Sequence, residues 1–187
     1  SLATNPLTFD MLLPYVVLCE AAALSPSLIE SILGDPLGNL TSFLTRSALN
    51  ISGISILWEG TGLELVSKTG ETIRLTIAPA CSGITYITTF LLLCGLMHID
   101  LRKSMSSTLM LASVGTVALM LLNALRLAIV IWAGYANGSE ALWNLHSWIG
   151  YAIFIVFYSV AALAYLKMGK PSKPVMIAVG DTDGELK

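Results

Sequence analysis

Charged residues are scarce in this chain. Of its 187 residues, only 12% are Asp, Glu, Lys or Arg, whereas 55% are hydrophobic. Soluble globular domains carry about 25% charged residues, so the composition excludes an ordinary water-soluble domain and predicts a protein surrounded largely by lipid. The formal net charge is −2, and the sequence has no basic surface of the kind that nucleic-acid binding requires.

Cysteine is also rare, and the usual cofactor motifs are missing. The three cysteines are an odd number, and Cys19 and Cys94 lie inside apolar runs, where packing is the expected role. No disulfide framework is therefore predicted. The sequence shows no metal-ligand cluster, phosphate-binding loop or dinucleotide fingerprint, so we predict neither a cofactor nor a metal.

Long apolar segments are abundant. A helix needs roughly 20 mostly apolar residues to cross a bilayer, and four segments qualify, at about 9–33, 84–100, 106–136 and 147–167. The first contains Pro14, Glu20 and Pro26, so a kinked or partly interfacial helix is the alternative there. The sequence thus predicts a mainly α fold, a polytopic transmembrane bundle of about four helices. It forms a single domain over residues 1–170, and residues 171–187 are predicted to be a disordered tail.

The segment 34–82 between the first two spans has two parts. Apolar residues from Leu37 to Ala48 follow helical spacing, which predicts a helix lying in the outer interface. The stretch LELVSKTGETIRLTI then alternates around a Lys-Thr-Gly turn, which predicts a β-hairpin, with Ile54–Trp58 as a possible third strand. In its second half Ile73, Leu75 and Ile77 face one way, and Thr72, Arg74 and Thr76 the other.

Basic residues orient the predicted bundle. Arg102 and Lys103 follow the second span, and Lys167, Lys170 and Lys173 follow the fourth. Positive flanks favour the cytoplasm, so both chain ends and the tail are predicted to be cytoplasmic. Residues 34–82 and 136–146 then lie outside, as parts of a multi-pass protein of the cell membrane.

Three reactive or charged side chains share the predicted outer depth. Cys81 precedes the second span, where Pro79 suits a first helical turn and a helix N-terminus favours the nucleophilic thiolate. Arg126 lies in the outer half of the third span, and His146 opens the fourth. His98 is 17 residues beyond Cys81, about 25 Å along a helix, and is predicted at the inner face.

Each of these residues also has a structural interpretation. His146 could be an interfacial anchor beside Trp143 and Trp148. A mid-helix arginine costs about 2.5–3.5 kcal/mol to insert and normally has a partner. Asn123, one turn earlier, shares the face of Arg126, and Glu20 is a candidate ion partner that would make Arg126 purely structural.

The residue types suit acyl transfer. A cysteine thiolate attacks a carbonyl to form an acyl-enzyme, while a histidine within reach gives and takes the proton. An arginine can hold the developing oxyanion or the substrate backbone. The sequence therefore predicts a cysteine acyl-transfer site at the outer mouth of the bundle.

Three short motifs carry a family resemblance: ACSG at 80–83, NALR at 123–126 and HSWIG at 146–150. In this order and topology the chain resembles the exosortase/archaeosortase family of membrane cysteine transpeptidases, in a short, four-helix form. The resemblance implies Cys81 as nucleophile, Arg126 as oxyanion or substrate stabiliser, and His146 as general acid/base. Ser82, Gly83 and Asn123, from the same motifs, would support the site or the substrate.

The resemblance also implies partners. The substrates would be exported, membrane-anchored proteins with a C-terminal sorting signal made of a short motif, an apolar helix and a basic cluster. The enzyme would cut near the motif and pass the acyl group to a lipid or another acceptor nucleophile. Two other classes stay open from the residues alone: a small transporter subunit with Arg126 and Glu20 lining a polar path, and a non-catalytic membrane scaffold that binds partners through its hairpin.

Overall fold

The computed structural model describes residues 6–54, 56–101 and 103–168. Four α-helices make up most of it: α1 Pro6–Ile51, α2 Ile84–Leu101, α3 Met105–Asn137 and α4 Ser139–Lys167. A small sheet and a 3₁₀ turn, Pro79–Ser82, lie between α1 and α2. This confirms the predicted mainly α, polytopic bundle. The predicted tail, 171–187, and the basic residues Arg102, Lys170 and Lys173 lie outside the described residues.

Within the described ranges, three helices are long and apolar enough to cross a membrane: α2, α3 and α4. They contain the predicted spans 84–100, 106–136 and 147–167, and α4 begins eight residues before the predicted start. Large apolar side chains stay more than half exposed along these helices, among them Val114, Val117 and Leu121 on α3 and Ile155, Val156 and Val160 on α4. Such faces suit contact with lipid and make the chain a multi-pass membrane protein.

Helix α1 joins two segments that the sequence predicted to be separate helices. Residues 37–48, predicted as a separate interfacial helix, are the C-terminal part of the same helix that covers residues 9–33. This part packs against the bundle, because Thr41 and Thr45 are fully buried and bond to backbone carbonyls of other elements. The span at 9–33 stays a prediction, since α1 is not among the three helices that meet the length and hydropathy requirements.

The sheet confirms the predicted hairpin. Strands β1 Leu57–Glu59, β2 Gly62–Val66 and β3 Thr72–Thr76 are antiparallel in the order β1-β2-β3. In β3 and just beyond it, Ile73 and Ile77 are buried, whereas Thr72, Arg74 and Thr76 are exposed, as the alternation predicts. The additional strand predicted at Ile54–Trp58 is β1, which begins at Leu57, slightly later than expected.

The hairpin is fastened to the junction of α3 and α4. The Lys68 N–H donates to the Tyr135 carbonyl at 2.8 Å, and the Ser139 N–H donates to Glu71 Oε2 at 2.9 Å. Gly138, with φ +87°, precedes α4 and has no side chain to cap it. The Glu71 carboxylate therefore supplies the N-terminal cap of α4 from another element.

Below the hairpin, apolar side chains from the sheet, α1, α3 and α4 form one buried cluster. It includes Leu49, Leu65, Ile73, Val130 and Leu142, and it anchors the sheet on the helices. A second cluster joins α2, α3 and α4 around Phe90, Cys94, Leu119 and Phe154, so Cys94 is a packing residue as predicted, whereas Cys19, predicted to pack as well, is exposed on α1. The sheet thus covers one end of the bundle.

A polar network closes the opposite end. The buried Lys103 ammonium donates to the carbonyl oxygens of Tyr165 and Leu166 at 2.7 and 2.8 Å, and also to that of Met168. The Thr108 hydroxyl lies 2.9 Å from His98 Nδ1 and 2.7 Å from the Tyr165 hydroxyl. His98 therefore belongs to this end, far from Cys81, as its position in the sequence predicts.

Candidate active site

Cys81 lies on a short turn of its own, not on α2. The turn Pro79–Ser82 is a 3₁₀ helix, in which the Cys81 N–H donates to the Ala78 carbonyl at 2.8 Å. Gly83 follows with φ +88°, a left-handed conformation that ends the turn before α2 begins at Ile84. Pro79 thus opens this turn and not, as predicted, the first turn of the spanning helix.

Asn123 and α1 hold the turn in place. Asn123 Nδ2 donates to the Cys81 carbonyl oxygen at 2.8 Å, and the Thr41 hydroxyl donates to the Ser82 carbonyl at 3.3 Å. A Cβ at Gly83 would lie 3.1 Å from Asn123 Nδ2, so this glycine is needed for the close approach as well as for its φ. The structure therefore brings Ser82, Gly83 and Asn123 to the backbone of Cys81.

Cys81 and His146 line the same cavity. Its volume is about 100 Å³, and its walls are mainly apolar, with Leu127 and Ile131 from α3, Leu142 from α4 and Leu75 from the hairpin among them. The half-buried His146 ring also packs edge-on against Trp143, with centroids 5.8 Å apart. The structure thus brings together two of the three residues predicted for catalysis and shelters them beneath the hairpin.

Arg126, on α3, contacts the backbone of His146 but is not among the residues that line this cavity. Its side chain is only 6% exposed, and Nη2 donates to the His146 carbonyl oxygen at 3.4 Å. The guanidinium carbon lies 6.0 Å from the centroid of the Tyr86 ring, within the range of a cation–π contact. Arg126 Nε is buried and has no hydrogen-bond partner among the described residues, so one strong donor of this site is uncommitted.

The alternative pairing of Arg126 with Glu20 does not fit the packing of α1. Tyr15, near Glu20, donates to Asp100 Oδ1 at 2.6 Å, at the far end of α2. Thr41 reaches the Cys81 turn at the near end. Glu20 lies 21 residues before Thr41, about 30 Å along the helix axis. The polar path that a transporter subunit would build from Arg126 and Glu20 therefore has no counterpart in the described residues.

Several residues at the site were not predicted. Thr41, Thr45, Tyr86 and Gly150 contact the Cys81 turn, the α3 backbone or Arg126. Two signals could have pointed to them: Thr41 and Thr45 are four residues apart on one helix face, and Gly150 lies four residues after His146. Among the described residues, no three His, Cys, Asp or Glu side chains lie together as a metal site would require.

The fold and the cavity together define a helical membrane protein with a cysteine and a histidine that line one cavity at one end of its bundle. The family model of the transmembrane exosortases matches residues 2–163, most of the chain. The chain therefore belongs to the exosortase family, which confirms the resemblance found in its motifs. Neither a search of curated proteins nor a search of solved structures found a match.

Proposed function

We propose that this chain is a membrane-embedded cysteine transpeptidase that cleaves a C-terminal sorting signal and transfers the exported protein to another acceptor. The observation that carries the proposal is the cavity shared by Cys81 and His146, with the buried Arg126 against the backbone of His146. Membership of the exosortase family supports the same activity. A thiol, an imidazole and a guanidinium can serve acyl transfer as nucleophile, general acid/base and oxyanion stabiliser.

In the first half-reaction the Cys81 thiolate attacks the carbonyl carbon of the scissile peptide bond. The C–N bond breaks, and the leaving amine takes a proton from His146, which leaves a thioester between the substrate and Cys81. In the second half-reaction His146 accepts the proton of the incoming nucleophile. That nucleophile then attacks the thioester carbonyl and releases the thiolate.

Arg126 and Asn123 have separate roles in this scheme. Arg126 commits Nη2 to the His146 carbonyl, and its remaining guanidinium N–H groups can donate to the substrate carbonyl oxygen as negative charge develops on it. Asn123 bonds the Cys81 carbonyl and thereby fixes the turn that carries the thiol. Ser82 and Gly83 complete that turn.

The substrate is an exported, membrane-anchored protein whose signal combines a short motif, an apolar helix and a basic tail. An apolar helix can remain in the lipid beside the bundle while the motif enters the cavity beneath the hairpin. We place the site at the outer face of the cell membrane, where a lipid or another nucleophile can accept the acyl group.

A trapped thioester tests the proposal without knowledge of the sorting motif. The protein is made in its native membrane and denatured, and the peptide that contains Cys81 is weighed before and after neutral hydroxylamine, which cleaves thioesters. We expect a hydroxylamine-labile adduct on Cys81 in the wild type, with more of it when the transfer step is slowed.

Matched variants make that result decisive. Cys81→Ala should carry no adduct and accumulate uncleaved substrate, whereas Cys19→Ala and Cys94→Ala should behave as the wild type. Normal substrate cleavage by Cys81→Ala would overturn the acyl-enzyme mechanism at Cys81.

A further inference from the structure

Gly150 lies directly against the guanidinium of Arg126. A Cβ built on this buried glycine would lie 3.0 Å from Arg126 Nε and 3.4 Å from Cζ, so the guanidinium occupies the space that any other side chain would fill. Gly150 is one helical turn after His146 and on the same face of α4. The guanidinium therefore spans the turn that carries His146, with Nη2 on the His146 carbonyl.

Tyr86 packs against the Arg126 guanidinium on the side opposite Gly150. Its ring faces the guanidinium at 6.0 Å, and its hydroxyl would be 3.3 Å from a Cβ at Gly150. Tyr86 is itself fixed, because its ring stacks on Phe154 and its carbonyl accepts a 2.9 Å hydrogen bond from the Tyr158 hydroxyl. The guanidinium is thus confined between an aromatic ring of α2 and the bare backbone of α4.

We propose that Gly150 is a positioning residue for Arg126, and this inference rests on the proposed function. By lacking a side chain, Gly150 admits the guanidinium to the α4 backbone. There Nη2 donates to the His146 carbonyl, Nε packs against Gly150, and the remaining guanidinium N–H groups are available for a substrate carbonyl oxygen. An alanine methyl would displace the guanidinium by a few tenths of an ångström and spoil a directed hydrogen bond, while adding only one small apolar group to α4.

A pair of thiol reagents that match in size and differ in charge tests this without a substrate. Iodoacetamide and iodoacetate alkylate a thiolate in the same way, but iodoacetate carries a carboxylate that a correctly placed guanidinium attracts. The ratio of the two rates at Cys81 is measured in a protein that keeps Cys81 and carries Cys19→Ala and Cys94→Ala. Dividing by the iodoacetamide rate removes changes in thiolate population and access.

The variants Arg126→Ala and Gly150→Ala form a double-mutant cycle. Arg126→Ala should lower the iodoacetate-to-iodoacetamide ratio about tenfold, the scale of one charge-assisted hydrogen bond, and Gly150→Ala should lower it about threefold or more. In the Arg126→Ala background, Gly150→Ala should change nothing further, because its effect acts through the guanidinium. If Arg126→Ala does not fold, Arg126→Met serves as the background, since methionine fills much of the same space without the charge that attracts the carboxylate.

Gly38→Ala is the control, because it makes the same change within α1, where a Cβ would meet no atom within 4 Å. It should leave the ratio unchanged. An unchanged ratio in Gly150→Ala, or an equal decrease with and without Arg126, would overturn the positioning role. A thioester that never forms on Cys81, while the reagent cycle behaves as expected, would instead overturn the proposed function and leave the positioning role intact.

Discussion

At the scale of single residues, the two histidines lie in very different surroundings. His146 lines the cavity of Cys81, whereas His98 bonds Thr108 at the opposite end of α2. Composition does not distinguish the two imidazoles, but their depth along the bundle does. Only His146 can exchange a proton with a group bound at Cys81.

Replacing each histidine with alanine should therefore give different results. His146→Ala removes general acid/base assistance, so the rate of substrate cleavage should fall by a factor of about 10²–10⁴. His98→Ala should cleave at nearly the wild-type rate. The rates are measured as appearance of cleaved substrate in membranes, and an equal loss in both variants would show that neither histidine acts at the site.

The same variant also identifies the step that His146 serves. If the hydroxylamine-labile adduct on Cys81 disappears in His146→Ala, the histidine is needed to form the thioester. If the adduct accumulates, the histidine is needed to activate the acceptor.

At the scale of secondary-structure elements, the hairpin and α4 depend on one another through Glu71. Hydrogen bonds from the side chain and backbone of Ser139 hold the pKa of the Glu71 carboxyl below its usual value. A lowered pKa means that the folded state favours the ionised form. This stabilisation is fully present above the pKa of the unfolded chain and is lost as the pH falls through the pKa of the folded state.

Glu71→Gln should lower the melting temperature at pH 7, because the amide lacks the charge that suits a helix N-terminus. The difference from the wild type should shrink as the pH falls below about 4.3, the usual pKa of a glutamate. Thermal unfolding in detergent at pH 7 and pH 3 measures it. Glu59→Gln, an exposed glutamate on β1, should show no such pattern, and a constant difference at both pH values would contradict the capping role.

The other end of α4 depends on Lys103 in a similar way. Its ammonium donates to the Tyr165 and Leu166 carbonyls of the last turn of α4, where the Tyr165 carbonyl also accepts a 3.2 Å bond from the Met168 N–H. Lys103→Met keeps most of the side-chain volume but removes these donors, so the free energy of unfolding should fall by about 1–3 kcal/mol. Lys167 is an exposed lysine in the same turn, and Lys167→Met should lower the free energy of unfolding much less. Equal losses of stability in the two variants would show that Lys103 is not a cap.

At the scale of the whole molecule, the proposed function requires the Cys81 end of the bundle to face outward. The hairpin turn and the junction of α3 and α4 belong to that end, and the short connection between α2 and α3 belongs to the other. The two ends lie at opposite ends of α2, α3 and α4, each of which is long and apolar enough to cross a membrane. Access to an impermeant reagent should therefore differ completely between them.

Single cysteines introduced at Lys68 and Asn137, in a chain whose own cysteines are replaced, should react with an impermeant maleimide in intact cells. A cysteine at the exposed Ser106 should react only after permeabilisation. Labelling of position 106 in intact cells would reverse the orientation and with it the proposed location of the site.

The sequence alone determined the parts of this protein that depend on local pattern. Apolar run length predicts α2, α3 and α4, because a spanning helix must cover a fixed thickness of hydrocarbon. Period-two alternation predicts β2 and β3, and the faces of β3, because successive strand residues point to opposite sides. The depth of each residue along its helix follows from 1.5 Å per residue, and this was enough to separate His146 from His98.

Tertiary structure alone decided how these elements meet. Whether Arg126 contacts Glu20 or the α4 backbone depends on the course of α1. Local pattern divides this segment in two, but in the structure it is one helix that packs against the Cys81 turn. The contacts of Arg126 with Tyr86 and Gly150 join residues of three different helices, and no periodicity within one segment encodes such contacts. The same is true of the Glu71 cap on α4, because a helix end can be satisfied from any element that the fold brings near it.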